Sequence, residues 1–286
     1  MTRLAVLGSP IGHSLSPALH AAAYRELELD WQYEAIEVTS ETLEEFITSR
    51  DDSWRGLSLT MPLKREVLDM IDQVDPLVEL TGSANTLLFH ELGGARHTLG
   101  FNTDVYGITQ SFQTAGYPSL DSVLVLGGGA TAASAIAAVN RLSARRVYVA
   151  VRNPDRAVAL GAVGDRHGTE VVIVPLDMAA GLAHEVDAVI STLPNGAAHS
   201  LEFSAEDMAS TVLFDVAYDP WPSILATPWI DAGGAVIPGI DMLIHQALIQ
   251  VRVFVNGSPD MLLDNELAVL GAMRASLDAE PLWEDS

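Results

Sequence analysis

The chain has 286 residues, 49% of them hydrophobic, and sets 15 Lys and Arg against 38 Asp and Glu, for a formal net charge of -23. That length points to two domains of roughly 100–150 residues, and the acidic balance argues against nucleic acid or an anionic membrane as partner, since both select a basic face. No cysteine is present, which excludes disulfides, thiol nucleophiles and thiolate metal sites.

Residues 4–8 read as a buried first strand, and Gly8 and Pro10 break the apolar run too early for a signal peptide. No stretch has the length and apolarity of a bilayer span, so the expected location is the cytoplasm. Next comes His13-Ser14-Leu15-Ser16-Pro17. Ser16 before Pro17 has the form of an N-cap followed by proline at the first helical position. The same helix end attracts an anion such as a carboxylate, so the two serines have a structural and a binding reading. Helical spacing is expected over residues 17–29, 43–50 and 64–71, and extended chain over 33–38, 56–60 and 84–89.

From Val123 the alternation becomes regular. Strands are expected at residues 123–126, 146–151, 170–174, 188–192, 212–216 and 235–237, with helices at 130–142 and near 156–163. Such a run of strand-helix units with short turns predicts a doubly wound parallel sheet. Residues 241–255 and 262–277 are expected to be helical, and the acidic tail 278–286 to fray.

Between the first strand and helix of this second half stands Gly127-Gly128-Gly129-Ala130-Thr131-Ala132, which fits G-x-G-x-x-A. Glycine there leaves room for a tight turn and for a pyrophosphate at the helix N-terminus; a glycine turn without ligand is the plainer reading. At the end of the next strand, where an NAD-binding chain would offer an acidic residue, stand Arg152, Asn153 and Arg156. Two arginines one turn apart suit a 2′-phosphate and favour NADP. Otherwise they are solvated charges opening a helix.

Three polar residues of the first half stand where strands run out: Lys64 after Leu-Thr-Met-Pro-Leu, Asn85 in Gly-Ser-Ala-Asn-Thr, and Asp104 in Asn-Thr-Asp. Taken singly they are a solvated helix start, a turn residue and an N-cap. Together with GSPIGHSLSP, the glycine turn, VRNPDR, DVAYDP and GIDMLIHQA, they occur in the order found in the shikimate dehydrogenase family. The chain resembles that family from about residue 4 to 270.

The resemblance implies an α/β protein with two domains: an N-terminal α/β substrate domain, residues 1–104 completed by about 256–286, and a Rossmann-like doubly wound NADP-binding domain, residues 105–255, with a cleft between them. It implies NADP-dependent interconversion of 3-dehydroshikimate and shikimate, in aromatic amino acid biosynthesis, by a monomer or homodimer. Lys64 and Asp104 would be the catalytic pair, and Ser14, Ser16, Thr60, Asn85, Tyr218 and Gln246 would surround the substrate. Gly127, Gly128, Gly129, Ala130, Thr131, Arg152, Asn153, Arg156, Thr192, Val216, Gly239 and Met242 would hold NADP, with core packing the plainer role for Met242. No metal is expected, because the eight histidines lack ligand spacing. Likewise His13 and His20 are expected to be packed or solvated.

The chain departs from the family pattern at Ala130, Ala133, Asn153 and Phe101, the first three bearing on phosphate contacts. Two other functions fit parts of the pattern. A quinate/shikimate dehydrogenase using NAD would tend to change Ser16 and Arg152, and a non-catalytic NADP-binding sensor would tend to lose Lys64 or Asp104. All four residues are present.

Overall fold

A computed structural model describes residues 1–165, 168–194 and 201–278. The chain divides into two compact units, one of Met1–Thr103 with the chain from Gln246 onward, the other of Asp104–His245. The return to the first unit therefore falls at Gln246, inside a helix, and earlier than the expected position near 256.

The first unit runs β1 (Thr2–Gly8), α1 (Ser16–Glu26), β2 (Trp31–Glu37), α2 (Leu43–Thr48), β3 (Trp54–Leu59), α3 (Leu63–Glu66), β4 (Gln73–Val74), α4 (Pro76–Thr81), β5 (Thr86–Leu92) and β6 (Ala95–Phe101). Its sheet has the order β2-β1-β3-β5-β6-β4. The β1–β2, β1–β3 and β4–β6 pairs are parallel, while β3–β5 and β5–β6 are antiparallel. A hairpin makes the change of direction: Gly93 and Gly94 take φ of 64° and 82°, values that glycine adopts without a side-chain clash. Alternating inward residues Leu57 and Leu59, with Leu7, Leu63, Val67 and Leu87, form the core under α2 and α3.

The second unit begins with α5 (Asp104–Thr114) and continues β7 (Ser122–Leu126), α6 (Ala130–Arg141), β8 (Arg146–Val151), α7 (Gly161–Asp165), β9 (Glu170–Pro175), α8 (Ala179–Leu182), β10 (Ala188–Ser191), α9 (Ala205–Ser210), β11 (Val212–Asp215), α10 (Ala226–Asp231) and β12 (Val236–Pro238). The six strands lie in the order β12-β11-β10-β7-β8-β9, and every pair is parallel. Counted from β7 this is 3-2-1-4-5-6, the doubly wound nucleotide-binding order, whose direction of winding switches between β7 and β10. The central strands are apolar on both faces, as a parallel sheet covered on both sides requires. Small buried residues Ala132, Ala133, Ala135 and Ala138 line α6. The chain leaves this unit along α11 (Gly239–Asn256) and ends its described part in α12 (Glu266–Asp278).

Two expected helices are broken up. Residues 64–71 divide into α3 and a 3-10 turn, Val67–Met70, and the helix expected near 156–163 becomes two 3-10 turns, Pro154–Arg156 and Val158–Leu160, before α7. Gly161 and Gly164 weaken helix propagation there. Among the described residues no helix is long and apolar enough to cross a membrane. Of the acidic tail, residues 279–286 lie outside the described residues.

Candidate active site

In the first unit the predicted polar residues gather where strands end. Thr60 follows β3, and its N–H donates to Leu7 O at 2.9 Å, extending the β1–β3 ladder by one step. The Lys64 carbonyl in α3 accepts from Ala84 N–H at 2.8 Å, and the Asn85 carbonyl accepts from Leu59 N–H at 2.8 Å. Backbone bonds thus join the segment carrying Lys64 to the one carrying Asn85.

Asn85 is buried and its side chain is held from several directions. Its Oδ1 accepts from Thr103 N–H at 2.9 Å and from the Thr86 hydroxyl at 2.9 Å. Its Nδ2 donates to Thr103 Oγ1 at 2.9 Å and to Gln246 Oε1 at 3.4 Å. The neighbouring Asn102 donates to Thr81 Oγ1 at 2.8 Å and Ser83 Oγ at 3.1 Å, which ties the chain just before Asp104 to the turn leading into Asn85. Asp104 itself is buried and is the first residue of α5 rather than a cap outside it. Phe101, at the end of β6, accepts from Asn85 N–H at 3.0 Å through its carbonyl, and its side chain is buried.

Gln250, one turn after Gln246 on α11, continues the network inward. Its Nε2 donates to the Asn85 carbonyl at 3.3 Å and to Thr86 Oγ1 at 3.1 Å, and its Oε1 accepts from Ser58 Oγ at 3.0 Å and from His20 Nε2 at 3.2 Å. Ser58 accepts from the Tyr33 hydroxyl at 2.7 Å, and His20 Nδ1 lies 3.0 Å from the Tyr24 hydroxyl. The His20 ring stacks on Tyr33 with centroids 3.8 Å apart. Burial pushes the His20 imidazole down to about 3, against the upward pull of its bond to Gln250, so it is neutral at physiological pH. Burial raises the Tyr24 and Tyr33 hydroxyls in the same way. His20 is thus packed and fully bonded, one of the two outcomes expected for it.

The start of α1 differs from the one expected at the serines. Helix α1 starts at Ser16, whose hydroxyl makes no capping bond; instead Ser14 Oγ accepts from Ser16 N–H at 3.3 Å. The cap reading of Ser16 is corrected accordingly: Ser16 already lies within the helix, and the side chain two residues back meets its N–H. Ser9 N–H donates to Met61 O at 3.1 Å, so the loop bearing the serines leaves β1 beside the loop that follows β3.

In the second unit the glycine turn sits at the switch between β7 and β10. Gly127 has φ of 108°, and a Cβ there would fall 2.5 Å from Thr192 Oγ1, so only glycine fits. Thr192 is fixed by two bonds to Leu126 O, from its N–H and its hydroxyl, each 2.9 Å. A Cβ on Gly128 would come 3.0 Å from Val151 Cγ1 at the end of β8, whereas one on Gly129 would meet nothing. The turn therefore leaves open space before the N-terminus of α6, where backbone N–H groups and the positive end of the helix dipole are of the kind that suits an anion. Ala130 and Thr131, half-buried, form the first turn of that helix. Arg152, Asn153 and Arg156 follow β8 directly and are exposed, and Arg156 lies in a 3-10 turn rather than in the helix expected near 156–163.

Gly239, at the head of α11, has its Cα so near the Val216 carbonyl that a Cβ would fall 2.2 Å from the oxygen. Val216 and Gly239 are thus brought together at the ends of β11 and β12. Asp215, just before, is buried; it accepts from Ser223 Oγ at 2.5 Å and Ala217 N–H at 3.2 Å, bonds that span the loop carrying half-buried Tyr218. Burial lifts the Asp215 carboxyl above its ordinary value, and the hydrogen bonds from Ser223, Ala217 and Ser191 only partly offset this. Met242 on α11 is buried.

Residues 6–87 match the shikimate dehydrogenase substrate binding domain. The shikimate dehydrogenase (NADP(+)) of Methanococcoides burtonii is 34% identical over 89% of this chain and 93% of its own length, and that of a Thermus thermophilus strain 35% identical over 91% and 95%. The chain belongs to the shikimate dehydrogenase family. Among solved structures, shikimate 5-dehydrogenase of Mycobacterium fortuitum superposes with a TM-score of 0.79 at 38% identity, covering 96% of this chain and 97% of that one. A shikimate 5-dehydrogenase of Thermus thermophilus, solved in complex with NADP(H) and shikimate, gives 0.79 at 30% identity, covering 96% and 100%.

As a shikimate dehydrogenase family member, the chain shows polar residues that sequence reasoning passed over. Thr103 sits between Asn and Asp in the motif that was singled out, and Gln250 lies one turn past Gln246. That i, i+4 spacing was the available signal. Ser58 and Tyr33 carried none, because the bonds that place them span 25 and 192 residues of sequence.

Proposed function

We propose that the chain is an NADP-dependent shikimate dehydrogenase, interconverting 3-dehydroshikimate and shikimate in the cytoplasm, as a monomer or homodimer, on the route to aromatic amino acids. The observation that carries this reading is the span of its kinship: relatives named for shikimate and NADP(+) are 34–35% identical over 89–91% of the chain.

In this reading Lys64 is the general acid and base. Reduction of a ketone generates an alkoxide that needs a proton, and oxidation of the alcohol needs that proton taken away. Asp104 holds the Lys64 ammonium and the same substrate edge. Asn85 and Gln246, fixed by the buried network, Thr60 after β3, and Tyr218 bind the hydroxyl-bearing ring, while Ser14 and Ser16 at the head of α1 take the carboxylate.

NADP, when bound, supplies or accepts the hydride. Its pyrophosphate suits the open turn of Gly127, Gly128 and Gly129 with the first turn of α6 at Ala130 and Thr131. Arg152, Asn153 and Arg156 would hold the 2′-phosphate beyond β8; Thr192, Val216, Gly239 and Met242 would bound the nicotinamide. Arginine in place of an acidic residue there favours the phosphorylated cofactor.

The test is turnover of shikimate and of quinate, each with NADP and with NAD. Shikimate with NADP is expected to give the highest kcat/KM, and Arg152→Ala to lower it by roughly tenfold or more for NADP while leaving NAD turnover nearly unchanged. A preference for quinate with NAD would refute the choice of substrate and cofactor, and no turnover with any pair would point to a binding protein.

A further inference from the structure

Two main-chain groups fix the direction of the buried side-chain amides in the first unit. A backbone N–H only donates and a backbone carbonyl only accepts, so each decides which amide atom faces it. Thr103 N–H lies 2.9 Å from the Asn85 side chain, so the atom there is Oδ1, and the Asn85 NH2 turns towards Thr103 Oγ1 and Gln246. The Asn85 carbonyl lies 3.3 Å from the Gln250 side chain, so the atom there is the NH2, and Gln250 Oε1 turns towards Ser58 and His20. Thr86 joins the two, its hydroxyl accepting from Gln250 at 3.1 Å and donating to Asn85 Oδ1 at 2.9 Å.

The direction is passed on. Because the Asn85 NH2 faces Gln246, the Gln246 atom there must accept; it is Oε1, which also takes the Thr103 hydroxyl at 3.3 Å. Turning the Gln246 amide over would set NH2 against NH2. The Gln246 NH2 is therefore the end directed away from Asn85 and Thr103.

We propose that Thr86 and Gln250 are positioning residues that hold the Asn85 and Gln246 amides in this one orientation, so that Gln246 presents N–H donors to the substrate rather than a carbonyl. A donor selects an oxygen with a lone pair to offer, such as a ketone, a carboxylate or a hydroxyl acting as acceptor. Both residues are buried, at 0% and 2% exposure, and act through Asn85. The inference rests on the reading that Gln246 touches the substrate.

Thr86→Val removes the hydroxyl at almost constant volume, Thr86→Ser retains it, and Gln250→Met removes both amide functions. Thr86→Val and Gln250→Met are each expected to raise the KM for shikimate roughly five- to tenfold, the effect of one lost buried hydrogen bond, with the KM for NADP unchanged and Thr86→Ser close to the parent. Gln246→Ala is the control. If it raises the shikimate KM while Thr86→Val does not, the positioning role is overturned and Gln246 stays at the substrate. If Gln246→Ala leaves that KM unchanged, its placement fails and the inference with it. A fall in Tm for Thr86→Val without a split between the two KM values marks a structural role only, and also overturns the proposal; the Thr86 pair decides even if Gln250→Met does not fold.

Discussion

The two units solve the problem of shaping a site in opposite ways. In the first, the strand ends are knit by buried side chains, with Asn85, Thr103, Gln246 and Gln250 exchanging bonds across a mixed sheet. In the second, the shape comes from side chains that are missing: Gly127 and Gly239 let backbone pass where a Cβ would collide with Thr192 or the Val216 carbonyl. On the proposed function, the fixed donors and acceptors would meet a ligand rich in hydroxyls, and the bare backbone N–H groups at a helix end a pyrophosphate. The contrast teaches that burial of polar groups and absence of side chains are alternative means of rigid placement.

The sharpest test of this division is Lys64→Ala, which is expected to lower kcat by about a hundred- to ten-thousandfold, the usual worth of a general acid and base, with Tm and the KM for NADP nearly unchanged. A kcat within a fewfold of the parent would remove Lys64 from the chemistry. Arg252→Met should cost the first unit about 2–3 kcal/mol, seen in urea unfolding, because Arg252 grips both carboxylate oxygens of half-buried Glu266 at 2.5 and 2.6 Å and the variant leaves that charge alone. Gly127→Ala should cost about 2 kcal/mol of strain and raise the KM for NADP while leaving that for shikimate alone. A change in the shikimate KM instead would break the comparison.

Two carboxylates then give opposite pH dependences. Glu266 is held below its ordinary value by Arg252 and Leu263 N–H, which outweigh burial, so its contribution to stability is present above the ordinary carboxylate range and is lost as pH falls through its folded-state value. Asp215 is raised by burial, so between its ordinary and its raised value the folded state binds more protons and stability falls as pH rises. Asp215→Asn should flatten that descending limb, and Glu266→Gln the acid-side one, in Tm measured against pH. This is the smallest of the expected effects.

Much of the second unit was legible because its signals are local. Short continuous apolar strands, a glycine turn and alanine-rich helical spacing each lie within a dozen residues, and β7 with α6 appears almost at the expected bounds. The short helices α4 and α9 were missed although Asp75 and Ser204 cap them, Asp75 accepting from Leu77 N–H at 3.1 Å and Ser204 from Asp207 N–H at 3.1 Å. Six residues give too little periodicity to set against the turn-forming character of their ends. The β6 strand was missed because Arg96, His97 and Thr98 are only part-buried and break the apolar pattern. The network around Gln250 was not legible because its partners come from β3, β5 and α1, and only the fold decides which of many buried hydroxyls and amides meet.

Helix α11 starts in one unit and ends in the other, and α12 after it packs against α1. During synthesis the second unit thus emerges whole, while the first waits for chain made after it. At roughly 5–20 residues per second the interval between Thr103 and the end of α12 is on the order of ten to thirty seconds. Until α11 is made, Asn85 has no Gln246, and Ser58 and His20 no Gln250, to bond. The unit begun first is thus completed after the second, and α11 carries the partners that close its polar interior.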